Sequence, residues 1–262
     1  KTKKDNPAQL CFQRFHELMF KTHPYSRDIL GSPETLEAVS TEVLREIHKE
    51  LVCSRNLVLV AIGDFDQKKL EAHISQLEEQ ISTGKAFRVE LKAPEHHAGE
   101  KGTIELQKEQ THIVLGYPGL TINSPERYTL DIIQSVLAGQ GGRLFLELRD
   151  KNSLAYTVSP VRMEGIEAGY FGTYIGCSPE KAQKAISMMR EELKKLEKEL
   201  ISEKELSRAK NYLIGQHAIS LQKKSSIAQA VLLDVCYGQS ADHIFEVIEN
   251  YKKITAENVR AL

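Results

Sequence analysis

Between Ala138 and Tyr156 the chain reads AGQGGRLFLELRDKNSLAY, and this stretch holds the residues best suited to meeting a ligand. Gly139, Gly141 and Gly142 crowd three glycines into four positions, where backbone needs left-handed dihedrals or close approach. A short amphipathic run follows and ends in Arg149. Seven residues later Tyr156 opens a run that alternates like a strand. A tight turn followed by a basic side chain and a tyrosine on adjacent elements could present both to one ligand. The same residues also suit a corner between two helices that carries a surface arginine, and composition does not separate the two readings.

Other reactive residue types are scattered. Cys11, Cys53, Cys177 and Cys236 form no C-x-x-C and no paired-ligand spacing, which suits buried small hydrophobes. His96 and His97 are adjacent, so in an extended segment they point to opposite sides, and no carboxylate or second histidine stands at metal-ligand spacing. His16 reads as one polar residue on a helix, and His112 as a strand residue. The 262 residues are 41% hydrophobic and 27% charged with a formal net charge of -1, an ordinary globular balance. Such a balance disfavours a protein-wide nucleic-acid surface, and no apolar run reaches the length of a membrane span. The first residues, KTKKDNPAQL, contain no apolar signal core and no initiator methionine, which is expected of a fragment.

The elements that must hold Arg149 and Tyr156 follow from periodicity. Pro125 to Leu137 reads as a helix capped by Ser124, feeding the glycine corner; a second helix spans Arg143 to about Asp150. Tyr156 to Met163 and Gly169 to Ile175 read as a strand pair about the turn from Glu164 to Ala168. Upstream, helices are expected over residues 7–21, from Pro33, from Ser40 or Thr41 to about Leu51, and from Gln67 to Ile81. Leu57 to Ile62, LVLVAI, is a continuous apolar run expected to be a strand covered on both sides. Residues 83–102 lose periodicity and read as a linker, after which Thr103 to Leu106 and His112 to Tyr117 are expected as strands. Downstream lie helices over Pro179 to Leu200 and Glu203 to about Leu221. A third, Ser226 to Cys236, is apolar enough to cross a core or lie under the sheet, and two more follow at Asp242 to Tyr251 and from Thr255 onward. A weak echo between Ala38–Arg45 and Lys253–Arg260 suggests two related α+β units.

These segments, in order, resemble the pitrilysin or insulinase-like peptidases, the M16 family, in its shorter two-domain members similar to mitochondrial processing peptidase. THPYSRDILGSPETLEAVSTEVLREIHKELVCSRNLVLVAIGDFD is similar to the latter half of one family domain. HIVLGYPG, LAGQGGRLFLELRDKNSLAYTV, GYFGTYIGCSPEKAQKA and ISEKELSRAKNYLIG are similar to most of the next. The resemblance implies an α+β fold of LuxS/MPP-like domains, each an antiparallel-rich sheet packed by helices. Residues 1–92 would then be the latter half of a first domain, 93–102 a linker, and 103–262 a second domain lacking its last strand and helix.

Family members hold zinc through His-x-x-Glu-His and a later glutamate. The chain contains no His-x-x-Glu-His, so the resemblance implies no cofactor in this chain and Zn2+ in the intact protein. It further implies that Arg149 and Tyr156 reach the scissile peptide, Arg149 by charge-assisted hydrogen bonds to a substrate carbonyl and Tyr156 by steadying the oxyanion. Gly139, Gly141 and Gly142 would let the peptide pass close to backbone, and Lys108, Glu109, Gln110 and Thr111 would carry an edge on which substrate adds as a strand. Expected partners are a peptide or small protein, the metal-bearing half or a paired family subunit, and a possible second copy, with no nucleic acid. The intact protein would be a zinc metalloendopeptidase and the fragment alone inactive. The alternative is a non-catalytic partner or structural subunit, and the residues taken without the resemblance support a plain peptide-binding module. Compartment is left open between cytoplasm and, in a bacterium, periplasm.

Overall fold

A computed structural model describes residues 6–96 and 99–262. These residues divide into two compact units interleaved along the chain. Unit 1 takes residues up to 27, 92–219 and 245–262, and unit 2 takes 28–91 with 220–244.

Unit 1 is built on an antiparallel sheet of β1 (Thr111–Gly119), β2 (Thr157–Glu164) and β3 (Gly169–Cys177), in the order β1-β3-β2. The β2–β3 hairpin pairs Glu164 with Gly169 and Thr157 with Gly176, while β1 pairs Thr111 with Cys177. Alternation along β3 assigns the faces. Tyr170 and Tyr174 meet helix α1 (Pro7–Phe20): Phe15 packs edge-on to Tyr170 with centroids 4.9 Å apart, and Phe12 lies 5.3 Å from Tyr174. Ile175 and Cys177 point into the main core with Leu144, Leu148 and Met189, all fully buried. That core is walled by α5 (Arg127–Leu137), α6 (Ala182–Lys198), α7 (Glu203–Ser220), most of α9 (His243–Lys253) and α10 (Ala256–Ala261).

Polar ties cross the same unit. Asp131 on α5 pairs with Arg162 on β2 and accepts from the Tyr251 hydroxyl at 2.8 Å, and burial together with Asp131 pushes the Tyr251 phenol well above its usual range. Tyr25 donates to Glu167 at 2.7 Å and accepts from the Ile166 amide at 3.0 Å, so the His-Pro-Tyr segment braces the hairpin turn.

Unit 2 contains α2 (Pro33–Glu37), α3 (Thr41–Leu51), α4 (Gln67–Gln80) and α8 (Lys224–Cys236). Its helix starts follow local chemistry: Ser32 and Thr35 form a capping box, Ser40 accepts from the Val43 amide, and Asp66 accepts from the Lys69 amide. Its apolar residues are largely open to solvent. No side chain of α3 or α8 is buried.

Three expectations are corrected. Leu57–Ile62 forms no strand among the described residues, and Leu59 is 50% exposed: the run has strand composition, but strand identity requires a neighbour to pair with. Thr103–Leu106 is likewise unpaired. The apolar helix α8 crosses no core among the described residues, for none of its residues is buried. The helix expected from Arg143 to about Asp150 is present, and from Phe145 to Lys151 it is wound as a π-helix.

Candidate functional site

The site is assembled from α5, the glycine corner, the π-helix and the start of β2, all within unit 1. Helix α5 buries Ile132, Ile133, Val136 and Leu137, so its path into the corner is fixed by the core. Gly139 has φ +75 and open space around it. Gly142 has a different requirement: a Cβ there would stand 2.1 Å from the Ala138 carbonyl oxygen, so only glycine lets the chain double back on the end of α5. Gly141 offers its carbonyl to Arg208 of α7. The corner is therefore a fitted turn, with Gly139 on its open side.

Beyond the corner, Arg143 makes a two-pronged pair with Glu205 at 2.6 and 3.0 Å, and Ser202 adds its amide and hydroxyl to the same carboxylate. The Arg143 guanidinium and these donors hold the Glu205 carboxyl down at about 2. Leu144 and Leu148 are buried on the inner face, which turns Arg149 outward. The Arg149 guanidinium lies 5.0 Å from the centroid of the Phe145 ring one turn earlier, a cation–π contact that limits its wandering. A π-helix is an uncommon way to spend seven residues, and such turns are frequent at functional sites.

The chain from Arg149 to Tyr156 is closely tied. Ser153 donates its amide to the Arg149 carbonyl at 3.0 Å, and Leu154 donates to the Leu148 carbonyl at 2.8 Å. Ser153 stands at φ +49, a left-handed conformation costing a non-glycine residue on the order of 1 kcal/mol. Its carbonyl accepts from Lys181 Nζ at 2.9 Å. Asn152 donates to the Glu147 carbonyl at 2.9 Å and accepts from Lys184 Nζ at 3.2 Å. Leu154 is buried, and the Tyr156 amide donates to the Gly176 carbonyl on β3 at 2.8 Å. Tyr156 sits one residue before β2 with its side chain 60% exposed. Two exposed polar side chains thus leave a short segment whose backbone is fastened at both ends and in the middle. Nothing in local sequence pattern announces Lys181, because its partner is a backbone carbonyl 28 residues away.

Lys108, Glu109 and Gln110 are exposed and lead into Thr111, the first residue of β1, which pairs with β3 on one side only among the described residues. His97 lies outside the described residues, so the adjacent-histidine reading has no geometry to report. Among the described residues no three His, Cys, Asp or Glu side chains converge as a metal site requires, and the residues present do not fit a zinc ion. No described helix is long and apolar enough to cross a membrane.

This architecture is shared with solved structures. The chain superposes on the crystal structure of a peptidase M16 inactive domain from Pseudomonas fluorescens with a TM-score of 0.91 and 22% identity, over 99% of this chain and 63% of that one. A protease from Helicobacter pylori superposes with a TM-score of 0.83 and 17% identity, over 99% of this chain and 64% of that one. The fold is that of M16 peptidase domains. Residues 38–213 match the family described as the peptidase M16 inactive domain, and the chain belongs to that family. Among curated relatives, a protein named an uncharacterized zinc protease in Streptomyces coelicolor is 26% identical over 98% of this chain and 58% of its own length. One with the same description in Bacillus subtilis is 29% identical over 85% of this chain and 54% of its own. The chain thus spans less than two thirds of the length of these relatives.

Proposed function

We propose that the chain is the substrate-handling, metal-free portion of an M16 zinc peptidase, and that Arg149 and Tyr156 act on the peptide bond being cleaved. The observation that carries this reading is the mounting of the pair: both side chains are exposed, and the backbone between them is held by the Leu148–Leu154 and Arg149–Ser153 hydrogen bonds. A guanidinium held against Phe145 can donate to a substrate carbonyl without first being ordered. The Tyr156 hydroxyl can donate to the oxygen on which charge develops as that carbonyl is attacked. Gly139, on the open side of its corner, gives an extended peptide room beside backbone. The outer edge of β1, entered from Lys108 to Thr111, gives such a peptide a strand to pair with. The zinc chemistry would come from protein outside this chain, either the remaining length that the relatives possess or a paired family subunit.

A second reading, a non-catalytic subunit that binds peptide or protein, is favoured by the family's description as an inactive domain. One experiment separates them. In the full-length protein loaded with zinc, cleavage of a quenched fluorescent peptide should fall about 100-fold in kcat on Tyr156→Phe. Folding stability should be unchanged, because Tyr156 is 60% exposed. Equal turnover in the two forms would remove Tyr156 from the mechanism, and a full-length protein that neither binds zinc nor cleaves would establish the second reading. The 262-residue chain alone should bind no stoichiometric zinc and cleave nothing, checked by metal analysis after purification without chelators.

A further inference from the structure

The reading of Arg149 and Tyr156 as a working pair raises the question of what fixes their separation. We propose that Lys181 is a positioning residue for the pair, acting as a latch on the Ser153 carbonyl. The inference rests on the function proposed above, and its observations are independent of it.

Among the described residues only Lys21 and Ser153 are non-glycine residues with positive φ. Lys21 is the cap residue that ends α1, its amide bonding to the Glu17 carbonyl. Ser153 instead lies between the two candidate side chains, four residues after Arg149 and three before Tyr156. Its left-handed turn reverses the chain so that Leu154 re-enters the core and bonds back to Leu148. Among the described residues no backbone donor takes the Ser153 carbonyl. Lys181 supplies the donor at 2.9 Å.

Lys181 is itself well placed to act as a fixed point. It closes a short 3-10 turn, Pro179–Lys181, in which its amide bonds to the Ser178 carbonyl and Pro179 fixes one backbone torsion. The turn follows directly on β3, whose Gly176 carbonyl receives the Tyr156 amide. One end of the π-helix-to-β2 connection and the start of β2 are therefore both referred to the end of the same strand. With the latch closed, the Arg149 and Tyr156 mounts move together. Without it, the Ser153 carbonyl loses its donor, and the loop can relax towards right-handed dihedrals that lengthen or tilt the connection. Lys184, on an exposed side chain, adds a second and weaker tie through Asn152.

The test uses two measurements. In the 262-residue chain, amide hydrogen exchange followed by NMR should show Leu154 and Tyr156 exchanging at least about tenfold faster in Lys181→Met than in the parent, while core amides of α5 stay unchanged. Lys181→Arg, which keeps a donor, should restore protection. Unchanged exchange at Leu154 and Tyr156 would overturn the latch. In the full-length zinc-loaded protein, Lys181→Met should lower kcat about tenfold with KM within about twofold, since a small misplacement of catalytic groups affects the transition state most. Lys181→Arg should recover most of it. Retained kcat in Lys181→Met, beside a large loss in Tyr156→Phe, would defeat the positioning role and leave the pair's role standing. Retained kcat in both would defeat the pair's role first.

Discussion

Units 1 and 2 carry similar apolar side chains and treat them differently. In unit 1, Leu148 is fully enclosed with Leu144, Ile175 and Met189 between a sheet and several helices. In unit 2, Leu44 on α3 is 56% exposed, as are many of its neighbours to similar degrees, and no residue of α3 is buried. A helix gains stability mainly by burying its apolar stripe against another element. The contrast therefore locates the cohesion of the chain: unit 1 holds itself together, and the apolar stripe of α3 is formed but uncovered.

Substitutions can break or sharpen that contrast. Leu148→Ala removes a fully enclosed side chain and should cost about 3–4 kcal/mol of unfolding free energy in chemical denaturation. A cost below about 1 kcal/mol would mean that the core is looser than its burial implies. Asp131→Ala should cost about 2 kcal/mol, because it leaves the Tyr251 hydroxyl without its acceptor and Arg162 with only the longer pair to Glu164 at 3.6 Å. A smaller loss is expected on acidification. Glu205 sits at about 2 when folded against an ordinary 4.5, so its pair with Arg143 stabilises fully above pH 4.5 and is lost as pH falls from there towards 2. The part attributable to this partly exposed pair, obtained by comparing pH–stability curves of the parent and Glu205→Gln, should be on the order of 1 kcal/mol after solvent screening. Leu44→Lys in unit 2 should change stability by less than about 0.5 kcal/mol. A loss of several kcal/mol there would show that α3 is covered in solution and would erase the distinction.

What the sequence disclosed follows the same division between local and distant causes. Ser32, Ser40 and Thr255 cap helices where their spacing places them, because a cap needs only the next three residues. The β2–β3 hairpin follows from the alternation on either side of Glu164 to Ala168. LVLVAI failed as a strand because pairing depends on a partner that no local pattern supplies, and α8 failed as a core helix because burial depends on what packs against a helix and not on its apolar content alone. At the candidate site, Arg149, Tyr156 and the three glycines were singled out by residue type and by family resemblance. The π-helix, the left-handed Ser153 and the reach of Lys181 were not, since each is decided by backbone geometry or by contacts 28 residues apart. The Asp131–Arg162–Tyr251 network was invisible for the same reason. Its members are separated by 31 and 120 residues.

Tyr251, Ile254 and Val259 belong to the same buried cluster as Tyr128, Leu130 and Leu148. A polypeptide emerges from the ribosome in order, so the wall they form is missing when Tyr128, Leu130 and Leu148 first come out. Until residues 251–259 have emerged as well, the nascent chain carries an open apolar surface on this side of the cluster.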